Sequence, residues 1–417
     1  MPDPLVIIDG IRTPFCKLGS DLARLAADEL GRVAVDALLT RTGFDPGLVD
    51  EVIFGCVCQP VDAPNVARVI ALRAGLPEHS TAATVHRNCA SGFEAITTAA
   101  ERVASGHGTV FIVGGTESMS QVPLLFPPEA AKKFAALGRA RGLGAKLGAL
   151  GAFRPEDFKP RIALKMGLTD PVSGLNMGET AEVVAREFGI GREAQDVFAL
   201  ESHRRATAAR SRLAEEICPV YVTGGKAGKA GHAVTADHGP RGDETIEMLE
   251  RLKPVFDRNH GSVTAGNSSQ ITDGAVALLV MAESRAAQLG LNPIGRLRAW
   301  AYTGCDPKRM GLGPVSAIRK LEELSGVGPR EADLIEINEA FAAQVLAVTQ
   351  CLGNVPMERL NVNGGAIALG HPVGATGARL TLTALKELGR RGGQRAIVSA
   401  CVGGGQGSAL LLEYLQP

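Results

Sequence analysis

The feature that most constrains this chain is that it repeats itself. The stretch from Ala90-Ser91-Gly92 to Val113 can be laid without a gap on Ala375-Thr376-Gly377 to Val398. Both read small-small-Gly, then an amphipathic helix, then a strand, with Phe111-Ile112-Val113 falling on Ala396-Ile397-Val398. A second pair agrees, Val49-Asp50-Glu51-Val52-Ile53-Phe54 against Ala332-Asp333-Leu334-Ile335-Glu336-Ile337. Two copies of one βα unit predict two halves related by a pseudo-twofold axis. Sites are then expected where equivalent helix starts and loops of the two halves meet.

The rhythm around the first copy is that of an α/β protein. Leu5-Val6-Ile7-Ile8 reads as a buried strand, residues 22–42 as an amphipathic helix, and Val49 to Val57 and Thr81 to Val85 as strands. Apolar residues at Phe93, Ile96, Ala100, Val103 and Ala104 have helical spacing, and a strand from Thr109 runs into Gly114-Gly115-Thr116-Glu117-Ser118. This alternation predicts a parallel sheet covered on both faces.

Residues 121–271 break the pattern. They are rich in Gly, Pro and charge, with helices expected near 178–188 and 192–209. From Glu129 to Lys165 nine basic residues face three acidic ones, interleaved with Phe134, Leu137, Leu143, Leu147 and Phe153. That mixture fits a solvated helical face, a basic rim for a phosphate-bearing substrate, or a surface that docks on a partner or an anionic membrane. The expected organisation is a first half over 1–120 plus 272–292, an inserted loop domain over 121–271, and a second half over 293–417.

Composition excludes several classes. With 44 Lys+Arg against 44 Asp+Glu, no net charge attracts nucleic acid. The 417 residues suffice for two or three core-forming units, and 51 glycines with 4% aromatics suggest an enzyme packed through close backbone approaches. Eight cysteines are scattered without a CxxC pair, and Cys56 and Cys58, inside a strand-like run, have poor metal spacing. No leader precedes Leu5 and no apolar run reaches spanning length, so the expected setting is the cytoplasm with free thiols.

Four positions carry candidate chemistry. Cys89 falls at or just before a helix start, where unpaired N–H groups and the helix dipole favour a thiolate; as one of eight cysteines it could equally fill core volume. His371 lies in Gly370-His371-Pro372-Val373-Gly374-Ala375-Thr376-Gly377, the loop at the matching helix start, where an imidazole can take a thiol proton. Cys401 precedes Val402-Gly403-Gly404-Gly405-Gln406-Gly407, after the strand Ala396–Ser399, where it can shuttle a proton beside an oxyanion-binding nest or sit as a buried structural thiol. Asn338, directly after the strand Leu334–Ile337, can orient a water or cap the strand. None of the glycine-rich loops fits the dinucleotide fingerprint or the P-loop.

Taken together these segments resemble the thiolase family over essentially the whole chain. The resemblance rests on Asn88-Cys89-Ala90-Ser91-Gly92, Val263-Thr264-Ala265-Gly266-Asn267-Ser268-Ser269, Asn338-Glu339-Ala340-Phe341, the Gly370–Arg379 loop and Cys401-Val402-Gly403-Gly404-Gly405. It implies duplicated βαβαβαββ core domains in a five-layered α-β-α-β-α arrangement with an inserted loop domain. It also implies cleavage of a 3-ketoacyl-CoA by CoA through an acyl-cysteine intermediate, with neither metal nor redox cofactor and with CoA as a substrate. In that scheme Cys89 is the nucleophile, His371 its activator and Cys401 the acid/base. His371 with a water on Asn338 forms one oxyanion hole, and the N–H groups of Cys89 and Gly403 form the other. Met177, Ser269 and Phe341 are implied as substrate or CoA contacts.

Two segments, Ser173–Glu182 and Leu252–Arg258, resemble the thiolase subunit of fatty-acid β-oxidation complexes. That implies docking of the basic insertion to a hydratase/dehydrogenase partner or a membrane surface, within a homodimer or homotetramer. Asn338 departs from that subgroup, which has His there, and Asn176 departs from short-chain biosynthetic members, so chain length is left open. The alternatives are an acetoacetyl-CoA thiolase and a non-catalytic scaffold; a decarboxylating ketosynthase would carry a second His at position 401.

Overall fold

The computed structural model describes residues 3–223, 231–353 and 355–416. Nine strands carry the core: β1 Leu5–Arg12, β2 Glu51–Gly55, β3 Thr81–Val85, β4 Val110–Glu117, β5 Thr272–Ala282, β6 Gly295–Gly304, β7 Leu334–Ile337, β8 Arg395–Val402 and β9 Gln406–Tyr414. They run in the order β7-β8-β9-β6-β1-β5-β4-β2-β3, and the short strand Cys16–Lys17 adds to β5. The halves meet at β1 and β6 through only two residue pairs, Val6 with Arg296 and Ile7 with Gly295. The principal helices are α1 Ala27–Thr42, α2 Val66–Arg73, α3 Ser91–Ala104, α4 Pro128–Arg139, α5 Leu143–Gly151, α6 Met177–Glu187, α7 Arg192–Ala208, α8 Gly313–Ser325, α9 Ala342–Cys351 and α10 Thr376–Arg391.

Strand alternation explains the layers. Along β2, Val52 and Phe54 join a core with Leu30 and Val35 of α1 and Ile70 of α2, whereas Ile53 points to the opposite core. Along β8, Ile397 packs with Ile318 and Leu321 of α8 and Val345 of α9, whereas Ala396 and Val398 face inward. The inward core holds Phe93 and Ile96 of α3 and Leu380, Leu385 and Leu388 of α10, side by side between the two half-sheets. The result is five layers, α-β-α-β-α, with both α3 and α10 in the middle. That placement explains why each is small-small-Gly at its start: two helices sandwiched between sheets must approach closely.

The sheet departs from expectation in being mixed. Only β2–β3, β2–β4 and β7–β8 are parallel. β5 returns from the insertion antiparallel to both β1 and β4, and β8 turns into β9 through Gly403–Gly405, a connection that only antiparallel neighbours permit. Sequence alternation reports which segments are strands but not their direction. Boundaries shift as well. α1 begins at Ala27, β2 ends at Gly55 so that Cys56 and Cys58 lie in the loop beyond it, and Cys401 belongs to β8 rather than to the loop after it.

Between Glu117 and Thr272 the chain stands outside the sheet. α6 and α7 pack on the second half, Val184 against Ala347 and Phe198 within the α8–α9 core. The basic segment forms α4, α5 and short flanking turns. Phe126, Phe134, Phe153 and Phe158 cluster there with ring centroids 4.9–6.2 Å apart, while Leu143, Leu147 and Leu150 of α5 stay exposed. Among the described residues no helix is long and apolar enough to cross a membrane.

The tightest contacts between the halves are backbone to backbone. A Cβ on Gly115 would lie 1.9 Å from the Gly374 carbonyl oxygen, and one on Gly377 would lie 2.4 Å from the Phe93 nitrogen. Neither obstacle is a side chain that can swing away. Gly115→Ala is therefore expected to lower stability by about 2–3 kcal/mol, read as a reduced urea midpoint; an unchanged midpoint would refute the tight joint.

Candidate active site

The loop after β3 turns sharply at Asn88, whose φ of 43° is unusual for a residue with a side chain. Hydrogen bonds hold the turn. The Ala90 N–H donates to Arg87 O and the Ser91 N–H to Asn88 O, while the Ser91 hydroxyl donates to Asn88 O at 2.7 Å and accepts from the Arg87 N–H at 2.9 Å. Cys89 is thereby placed two residues before α3, with Ala90 as an N-cap that offers no side-chain hydrogen bond. The Asn88 side-chain amide donates to Gly403 O at 2.8 Å, so the Cys89 turn is tied to the β8–β9 turn of the other half. Arg87 adds a second tie, pairing with Glu94 and stacking 4.2 Å over the Tyr302 ring.

Electrostatics at Cys89 pull in two directions. Burial pushes the thiol up, whereas N–H groups of Gly403 and of Cys89 itself favour the thiolate; the Glu117 charge opposes it. Cys401 is buried at the end of β8, opposite Gly407, and burial together with the Cys89 and Cys305 thiols holds it far above the ordinary thiol range. Both thiols are therefore protonated at rest. Gly403 opens the turn between them, and Gly404 and Gly405, with φ of 88° and 81°, complete it.

His371 precedes α10 by five residues and is buried. Its Nδ1 lies 2.6 Å from Thr376 Oγ1, and that hydroxyl donates to Pro372 O at 2.9 Å. The hydroxyl proton is committed to the carbonyl, so Thr376 accepts from Nδ1–H and the basic lone pair is left on Nε2. Nε2 faces the Asn338 amide at 3.5 Å, and Asn338 Oδ1 is buried without a hydrogen-bond partner among the described residues. Burial, aided by the Arg379 charge, lowers the imidazole to about 4. The ring is neutral at physiological pH and can accept a proton.

Asn338 is fixed from behind by its neighbour. The Glu339 carboxylate accepts from Ser202, from Asn361 and from the Ile367 N–H, joining α7, the loop before His371 and the end of β7. The segment leaving the insertion lies alongside, with the Ser269 N–H donating to Ala340 O at 2.9 Å and Ser268 bridging Phe341.

These elements enclose one cavity of about 560 Å3. Cys89, His371, Cys401 and Gly403 line it, as do Met177, Ser269 and Phe341; Asn338 stands directly behind His371. The remaining wall is largely apolar, with Leu164, Met166, Leu168 and Val172 from the insertion and Met119 and Met310 from the two halves. Sequence reading gave no role to Asn88, Thr376 or Glu117, nor to this apolar wall. Asn88 and Thr376 lay in quoted motifs, but nothing local to the sequence signals that Asn88 will reach Gly403, 315 residues away, or that the Thr376 hydroxyl will turn onto the His371 ring. A thiol, a second thiol and a neutral imidazole around an apolar chamber can form and break a thioester and move a proton across it.

The chain matches known proteins over nearly its whole length. Residues 5–284 match the family model described as thiolase, N-terminal domain, and residues 291–414 the one described as thiolase, C-terminal domain. A 3-ketoacyl-CoA thiolase of Yersinia enterocolitica is 38% identical, with 99% of this chain and 97% of the relative covered, and one of Pectobacterium atrosepticum is 40% identical over the same shares. Among solved structures, the Bacillus anthracis acetyl-CoA acetyltransferase superposes with a TM-score of 0.89 at 39% identity, covering 99% of each chain. Human mitochondrial 3-ketoacyl-CoA thiolase gives 0.88 at 36% identity, again over 99% of each chain.

At pH 5 the His371 ring should still carry one proton, on Nδ1, because its affinity lies near pH 4. Nitrogen NMR of histidine-labelled protein checks this; a doubly protonated His371 at pH 5 would contradict it. Thr376→Val should let the tautomer scramble and lower kcat about tenfold to a hundredfold.

Proposed function

The chain belongs to the thiolase family, and from that premise we propose how its residues cleave a 3-ketoacyl-CoA with CoA into acetyl-CoA and an acyl-CoA shortened by two carbons. The Cys89 sulfur attacks the 3-keto carbon while its proton passes to Nε2 of His371. The tetrahedral oxyanion is met by the N–H groups of Cys89 and Gly403, the same groups that favour the thiolate at Cys89. Collapse breaks the C2–C3 bond, and acetyl-CoA leaves as an enolate. Nε2 of His371, now protonated, and a water on the unpartnered Asn338 Oδ1 stabilise that enolate, and Cys401 protonates its carbon. Cys401, now a thiolate, takes the proton of an incoming CoA thiol. The CoA sulfur then attacks the acyl-Cys89 thioester and releases the shortened acyl-CoA. The His371 proton returns to Cys89, and the cycle closes with all protons accounted for.

The observation that carries this reading is that one cavity is lined by both thiols and His371, with an apolar wall beside them. Both thiols start protonated, as the sequence of steps requires. We assign the acyl chain to the apolar wall, the CoA approach to the side of Met177 and Ser269, and the reaction to cytoplasmic fatty-acid β-oxidation. The insertion offers a docking face for a hydratase/dehydrogenase partner or an anionic membrane, since exposed Leu143, Leu147 and Leu150 lie among basic residues. We further propose a homodimer, because β3 ends the sheet with its outer edge unpaired among the described residues and leads directly into the nucleophile turn.

Thiolysis rates for 3-ketoacyl-CoA substrates of rising chain length test the function, with Cys89→Ala as the blank. Cys89→Ala should abolish turnover and leave the fold intact, and near-normal turnover in that variant would defeat the mechanism. Rates that rise with chain length support the β-oxidation role, whereas a sharp maximum at acetoacetyl-CoA makes the chain an acetyl-CoA acetyltransferase. Cys401→Ser should slow both half-reactions, acylation and acyl transfer to CoA.

A further inference from the structure

Glu117 ends β4 with a fully buried carboxylate that the reaction above does not use. Three backbone N–H groups converge on it. Cys58 donates to Oε1 at 2.8 Å, and Val57 and Gly374 donate to Oε2 at 3.1 and 2.9 Å. The Cys56 thiol adds a longer contact at 3.7 Å. The donors come from both halves. Val57 and Cys58 themselves line the cavity, while Gly374 directly follows the lining residue Val373, three residues beyond His371. One carboxylate therefore joins the two loops that flank the reacting groups.

We propose that Glu117 is a positioning residue for thiolysis, a latch whose carboxylate holds the Val57–Cys58 loop of one half in register with the His371 loop of the other. The chemistry of the donor set requires an anion. Three N–H groups point inward, so a neutral amide in the same place would set its own N–H2 against one of them. The partners are N–H groups rather than a cation, so the negative charge is left uncompensated and is felt nearby by the Cys56, Cys58 and Cys89 thiols. At Cys89 it favours the protonated thiol, which keeps the nucleophile unreactive until His371 can take its proton.

The turnover readout rests on the thiolase reaction proposed above; the other readout does not. The experiment follows alkylation of the Cys89 peptide by iodoacetamide as a function of pH, by mass spectrometry, alongside kcat and KM for thiolysis. Glu117→Gln removes the charge, so the alkylation midpoint should move to lower pH by about half a unit, making alkylation at pH 7 about threefold faster. In the same variant kcat should fall about tenfold with KM little changed, because the loops lose their register. Glu117→Asp keeps the charge but cannot span both loops, so kcat should fall while the alkylation midpoint stays in place. A Glu117→Gln protein with the wild-type midpoint, or a Glu117→Asp protein with wild-type kcat, overturns the proposal. Should Glu117→Gln fail to fold, Glu117→Asp decides alone by the same criterion. If the wild-type protein does not cleave 3-ketoacyl-CoA at all, the reaction assignment falls, and the alkylation midpoints still judge Glu117.

Discussion

The whole arrangement depends on a place where backbone meets backbone. The Gly374 carbonyl enters a notch bounded by Gly55, Gly92 and Gly115, and a Cβ on any of the three would come within 2.7, 3.1 and 1.9 Å of that oxygen. Side chains there would separate α3 from α10 by the width of a methyl group or more. The cysteine loop and the histidine loop sit at the starts of those two helices, so the same separation would carry Cys89 away from His371. The cores on either side are ordinary aliphatic packing and tolerate volume-conserving exchange. The notch has no such freedom, because its obstacles are carbonyl oxygens and amide nitrogens. Catalytic geometry is thus set by main chain, and side chains are added to a frame already fixed.

The reacting groups themselves are also uncharged at rest. Cys89 and Cys401 are held as thiols and His371 as a neutral base, each by burial before any other cause. Separating charge in such a chamber costs several kcal/mol unless donors already face the anion. The N–H groups of Cys89 and Gly403 are such donors, and the Asn88 bond to Gly403 O keeps the second of them in place. A thiolate is costly in this largely apolar chamber and becomes accessible when an electrophilic carbon can take up its electron pair at once. In the proposed mechanism burial guards the Cys89 thiol until substrate arrives.

Much of this was legible in the sequence, for a physical reason. The duplicated βα unit follows from periodicity, the five layers were implied by the family resemblance, and Cys89, His371 and Cys401 stand in short motifs whose residue types are chemically unusual. Strand direction was not legible, because β5 and β9 reach their places through an insertion and a hairpin that the alternation of helix and strand does not encode. The supporting side chains were equally hidden. Thr376 fixes a tautomer through a single hydroxyl, and Glu117 collects amides from positions 57, 58 and 374. The fold alone gathers the distant donors around Glu117, and Thr376, although only five residues from His371, does not differ in type from an ordinary surface threonine.

The repeat also explains why the proposed nucleophile has no counterpart in the second half. Laying Ala90 on Ala375 places Cys89 on Gly374, so the position equivalent to the nucleophile in the second half is a glycine. A side chain there would meet Gly55 O at 2.7 Å and Thr116 O at 2.8 Å, which excludes a cysteine outright. Its carbonyl instead fills the notch between the helices, and its N–H is bound by Glu117. Duplication supplied two equivalent helix starts; close packing between them left room for a reactive side chain at only one. The other became the surface against which the first is held, with His371 three residues upstream, lining the same cavity as Cys89.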